Sequence, residues 1–105
     1  MTDKELLELA AKAAGINVYF DDVGQCCRRI PGDQLSTYLW EPLTDDGDAL
    51  RLAVLLEIDL EIDGHKVRAL TGEFSVREES GSDRCAAIRR AIVRVAAEIG
   101  KTVGA

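Results

Sequence analysis

Apolar residues recur along this chain in two different periods, and the switches between them divide it into elements. Leu6, Leu9, Ala10 and Ala13 fall at three- and four-residue steps, which places them on one side of a helix. Thr2 followed by Glu5 has the spacing of a capping box, and Gly15 stands where a left-handed residue would end the helix. Residues 16–20 then read as a strand, halted by Asp21-Asp22-Val23-Gly24. A second strand is expected over residues 26–30, with a turn at Pro31-Gly32-Asp33. A third runs over residues 35–40 and ends before Pro42, which has no N–H to give to a ladder.

A second helix is expected after Thr44-Asp45-Asp46, capped by Thr44 or Asp45, with Asp46 and Asp48 near its positive end. Leu50, Ala53, Val54 and Glu57 would share one side, and Leu52, Leu55 and Leu56 widen the apolar arc. Beyond it the period changes to two. Ile58, Leu60 and Ile62 alternate with Asp59, Glu61 and Asp63, and Asp63-Gly64 is a hairpin dipeptide. A turn on those two residues pairs Ile62 with His65, Leu60 with Val67 and Ile58 with Ala69. On the opposite side it sets Glu61 against Lys66 and Asp59 against Arg68. Phe74 and Val76 have the other parity from Val67 and Ala69, which a bulge near Thr71-Gly72 would correct. In the last helix Cys85, Ile88, Ile92, Val95 and Ile99 form the core stripe, with Ser82 as cap and Gly100-Lys101 at the end. The order α-β-(β)-β-α-β-β-α implies an α+β domain, with three helices and a mainly antiparallel sheet.

The chain has 105 residues, enough for one domain and one core, with neither repeats nor linkers. At 47% apolar it is expected to fold. No apolar run approaches the roughly 20 residues that span a bilayer, and Met1-Thr2-Asp3-Lys4-Glu5 lacks a signal-peptide pattern. A cytoplasmic protein with no membrane contact is expected. The net charge of −6 is unevenly placed. Residues 1–81 carry 8 basic and 17 acidic side chains, whereas residues 82–105 carry 5 basic and 2 acidic ones. Such an acidic field opposes direct nucleic-acid binding and favours basic protein surfaces.

Candidate chemistry is sparse. Three cysteines and one histidine lack zinc-site spacing, and Cys26-Cys27 should point to opposite sides of a strand. Cys85 reads as a small core residue, and His65 as a half-buried turn residue rather than a base. Asp46 to Glu57 has the length of a calcium loop, but a helical pattern runs through it. No nucleophile elbow, phosphate loop or dinucleotide fingerprint is present. No enzyme activity, metal or cofactor is therefore expected. A pocket near Tyr19, Tyr38 and Trp40 is the one place suggested for a small molecule.

Three blocks carry a family resemblance: Glu5 to Gly15, Trp40-Glu41-Pro42-Leu43-Thr44-Asp45-Asp46-Gly47-Asp48-Ala49-Leu50-Arg51-Leu52-Ala53, and Ala87 to Gly100. Together they resemble the small phage and prophage proteins grouped as the phage ABA sandwich domain. Residues 21–34, with Cys26-Cys27-Arg28-Arg29, do not align to that pattern. The resemblance implies a layered α/β/α sandwich and a phage or prophage origin, and it carries over no functional residue. It implies no activity; by analogy with other small acidic phage proteins, an accessory factor that binds and disables a host protein, such as a restriction or CRISPR defence, is expected.

The expected function is thus a non-enzymatic protein that binds a host protein, in the manner of an anti-CRISPR. Glu41, Asp45, Asp46, Asp48, Asp59 and Glu61 are the candidate contact residues. The alternative patch is Arg89, Arg90 and Arg94 on the last helix. It could meet nucleic-acid phosphate, an acidic partner or the chain's own acidic half, or be a solvated helix side. A structural protein that oligomerises and a small-molecule-binding domain are the other readings, and monomer or homodimer is left open.

Overall fold

A computed structural model describes residues 1–30 and 33–103, so the turn expected at Pro31-Gly32-Asp33 lies partly outside the described residues. The elements run α1 (Asp3–Ala14), β1 (Val18–Phe20), β2 (Cys26–Ile30), β3 (Asp33–Leu39), α2 (Asp46–Leu55), β4 (Asp59–Asp63), β5 (Lys66–Leu70), β6 (Ser75–Glu79) and α3 (Arg84–Thr102). This is the α+β order expected, with one more strand. All pairing is antiparallel, in two three-stranded sheets ordered β1-β2-β3 and β4-β5-β6.

Helix ends follow local chemistry. The Thr2–Glu5 capping box forms in full, and Gly15 closes α1 at φ 71°. There the N–H of Gly15 bonds Lys12 O and that of Ile16 bonds Ala11 O, the paired bonds of a Schellman motif. The end of α2 repeats the motif, Glu57 N–H to Val54 O and Ile58 N–H to Ala53 O, but with Glu57 at φ 55°. Glu57 therefore terminates the helix instead of sharing its side with Leu50 and Val54. Asp45 caps α2, its carboxylate accepting from Asp48 N. Asp83, not Ser82, caps α3 by accepting from Ala86 N.

The hairpin register differs from the expected one by two positions. Asp63 pairs with Lys66, Ile62 with Val67, Glu61 with Arg68, Leu60 with Ala69 and Asp59 with Leu70. The turn is thus Gly64-His65, with the left-handed residue first, at Gly64 (φ 59°), as a type II′ turn requires. A slip of two leaves every side chain on its expected side, because strand parity has a period of two. His65 becomes an exposed turn residue. No bulge follows. The chain reverses at residues 71–74, where Thr71 N–H bonds Phe74 O at 2.8 Å and the Thr71 hydroxyl accepts from Phe74 N. That reversal pairs Ala69 with Val76 and puts both in the core.

The core gathers around α3, which packs on α1, α2, β5 and β6. Ile92 and Val95 are buried as expected, but Cys85 is exposed in the first turn, beyond the reach of the core. Val93 is buried too, and the rest of the buried surface of α3 is small: Ala87, Ala91, Ala96, Ala97 and Gly100. Small residues let α1 come close, and a Cβ at Gly100 would stand 1.9 Å from Leu9 O. On α2 the buried stripe is Ala49, Leu52 and Ala53, continued by half-buried Leu56. These also fall at i, i+3, i+4 and i+7, so Leu50 and Val54 face outward rather than in. Cys26 and Cys27 are both buried, Cys26 in the core and Cys27 beside the turn that starts at Asp21. Burial, with Glu41 adding to it, pushes the Cys26 thiol up to about 12.

Candidate partner-binding surface

Four of the six candidate carboxylates hold the segment between β3 and α2 in place. The Glu41 carboxylate accepts from Cys26 N at 3.2 Å, and the Glu41 N–H donates to Asp48 Oδ2 at 2.9 Å. The other oxygen of Asp48 accepts from Arg51 at 2.7 Å, and Asp45 accepts from Asp48 N at 2.8 Å. This Asp48 contact is the chief reason that the Arg51 guanidinium is held above its ordinary pKa. Asp46 reaches α3, where Arg89 pairs with it at 2.5 Å and also donates to Leu43 O at 2.9 Å. Each carboxylate thus satisfies a backbone N–H or a cation of the same chain. α2 runs straight through the stretch from Asp46, so no calcium loop forms there.

The arginines of α3 are committed in the same way. Arg89 pairs with Asp46 at the start of α2, Arg90 with Asp3 of α1 at 3.2 Å, and Arg94 with Glu78 of β6. All three of these carboxylates belong to the acidic residues 1–81. The three pairs fasten α3 to a different element each, across sequence separations of 43, 87 and 16 residues.

Asp59 and Glu61 are placed elsewhere, on β4. This strand is an edge, and all five of its residues are exposed. Glu61 pairs with Arg68 on the neighbouring strand at 2.5 Å. Among the described residues Asp59 and Asp63 have no hydrogen bond or ion pair through their side chains. On the other side of the strand Leu60 and Ile62 lie in line with buried Ala69 and Val67. α3 covers β5 and β6 there, and β4 overhangs it, leaving Leu60 38% and Ile62 55% exposed. The alternation was legible in the sequence; the overhang was not, since it depends on where α3 crosses the sheet.

A cleft of about 310 Å³ lies between the end of α1, Arg28, Trp40 and α2, with Arg51, Leu52 and Leu55 on its wall. Trp40 lines it, as the sequence suggests, but Tyr19 and Tyr38 do not. Among the described residues no three His, Cys, Asp or Glu side chains converge as a metal site would need, and no helix is long and apolar enough to cross a membrane. No family model, curated protein or solved structure matches the chain.

Proposed function

We propose that this chain is a non-enzymatic protein-binding domain, a phage or prophage accessory protein directed at a host protein, with β4 at the centre of its contact surface. The observation that carries this reading is the exposure of Leu60 and Ile62 on an edge strand whose other side bears Asp59, Glu61 and Asp63. Apolar area open to water on an ordered element favours association, and the neighbouring acids select for a basic partner. Leu50, Val54 and Leu55 of α2 add exposed apolar side chains just ahead of β4 in the chain. The acids around α2, by contrast, are spent on the fold. A host defence protein with a basic nucleic-acid channel fits these requirements.

The test is capture from bacterial host lysate with the full chain and with the Leu60→Lys/Ile62→Lys double variant. Both side chains already stand partly in water, so the variant should fold as the parent does. The parent should retain a protein that the variant loses. Equal retention by both would remove β4 from the contact surface. A second reading, a small-molecule-binding domain, draws on the Trp40 cleft. It requires a nucleotide or metabolite that raises the melting temperature of the parent and not of Arg28→Ala.

A further inference from the structure

The exposed strand offers more than side chains. Among the described residues nothing pairs with the outer edge of β4, and no loop bonds its backbone. An unpaired edge of five residues spans about 17 Å, a row of N–H and C=O groups ready for one more strand. Two other edges, β1 and β6, lack this combination. β1 has three residues, and β6 buries Val76 and spends Glu78 on Arg94.

Resting on the protein-binding reading above, we propose that β4 takes its partner by strand addition. The occupant is an extended segment in which Lys or Arg alternates with Val, Ile or Leu. The side-chain alternation of β4 dictates that choice. An added strand places its residues directly opposite those of β4, so one set meets Leu60 and Ile62 and the other meets Asp59, Glu61 and Asp63. Apolar residues in the first set would complete the cover that α3 gives β5 and β6. Basic residues in the second set would meet the carboxylates, of which, among the described residues, only Glu61 has a cation at present.

A second copy of this chain does not fit the edge. Antiparallel pairing of two β4 strands about Glu61 would set Glu61 against its counterpart, and Asp59 against the partner's Asp63. Like charges directly opposite are unfavourable. The same acids that recruit a basic strand therefore keep the edge from closing on itself, a known means of guarding exposed edges.

The test uses the full chain and three synthetic peptides: Lys-Val-Lys-Val-Lys-Val, the block isomer Lys-Lys-Lys-Val-Val-Val, and Glu-Val-Glu-Val-Glu-Val. Affinity is read by titration, and the site by amide hydrogen exchange. The alternating basic peptide should bind at least tenfold more tightly than the other two, slow exchange within residues 59–63, and weaken as salt is raised from 50 to 300 mM. Asp59→Lys/Asp63→Lys should weaken it tenfold or more; neither side chain has a partner among the described residues, so stability should hold. Equal binding by the block or acidic peptide, absence of binding, or protection outside β4 overturns strand addition. Failure here is separable from failure of the broader reading. If Leu60→Lys/Ile62→Lys still loses the captured host protein, the surface stands and only the mode falls; if capture is also unchanged, both fall.

Discussion

Gly100→Ala sets two well-known effects against each other. In an exposed helix interior the change would stabilise by about 1 kcal/mol, because Ala has the higher helix propensity. At Gly100 the new Cβ would lie 1.9 Å from Leu9 O, 2.7 Å from its carbonyl carbon and 3.2 Å from its Cα. All three atoms are backbone of α1, so no side chain can swing away. The helices must separate by more than 1 Å where Ala10, Ala11, Ala96 and Ala97 are packed with almost no exposure. Overpacking of this kind costs about 1–3 kcal/mol, and a backbone clash belongs at the upper end. The net expectation is a loss of about 2 kcal/mol. For a domain of this size that lowers the melting temperature by about 8–16 °C. Circular dichroism melts of parent and variant decide it. A melting temperature equal to or above the parent's would show that propensity wins, and that α1 and α3 are not in close backbone contact.

Other substitutions probe the caps, the clamps and the thiols. Arg89→Ala removes bonds to Asp46 and to Leu43 O from a side chain only 16% exposed, and should cost about 1–3 kcal/mol in urea unfolding. Little change in midpoint would mean that the clamp holds nothing. Glu57→Gly relieves a left-handed non-glycine worth about 1–2 kcal/mol but frees the unfolded chain by 0.4–1, so the melting temperature should hold or rise slightly. A fall would refute the strain. In native protein at pH 8 a thiol reagent should label Cys85 alone, and all three cysteines in urea. Because the Cys26 pKa is raised in the fold, its contribution to stability is complete below the unfolded value of 9.0. It should fade between 9.0 and about 12, by up to about 1.4 kcal/mol per pH unit, and Cys26→Ala should flatten that limb.

Where local chemistry decides, the sequence is sufficient. The Thr2–Glu5 box, the Gly15 terminus and the strand alternation before Gly64 all lead to the observed elements. Errors arise where two local solutions are equivalent and a distant contact chooses. On α2 the stripes beginning at Ala49 and at Leu50 are both helical and both apolar over their first three positions, and burial of the first exposes Leu50 and Val54. In the hairpin Asp63-Gly64 and Gly64-His65 are both acceptable turns that keep the same side-chain parity. The candidate site was legible as composition and not as geometry. Acidic residues 41–63 and the arginines of α3 stand out in the sequence as opposite charges. Only the fold sets Asp46 against Arg89, Asp3 against Arg90 and Glu78 against Arg94. Once those pairs are made, Asp59 and Asp63 are left unpaired on β4 among the described residues, flanking the exposed Leu60 and Ile62.

Site-specific photocrosslinking in the bacterial host tests the β4 surface most directly. A photoreactive residue replaces Ile62 on the edge strand in one sample and Val23 in the turn between β1 and β2 in another; both positions are exposed. A discrete adduct with one host protein from position 62, and none from position 23, is expected. Adducts from position 23 alone, or an equal pattern from both, would contradict β4 as the surface that meets the partner.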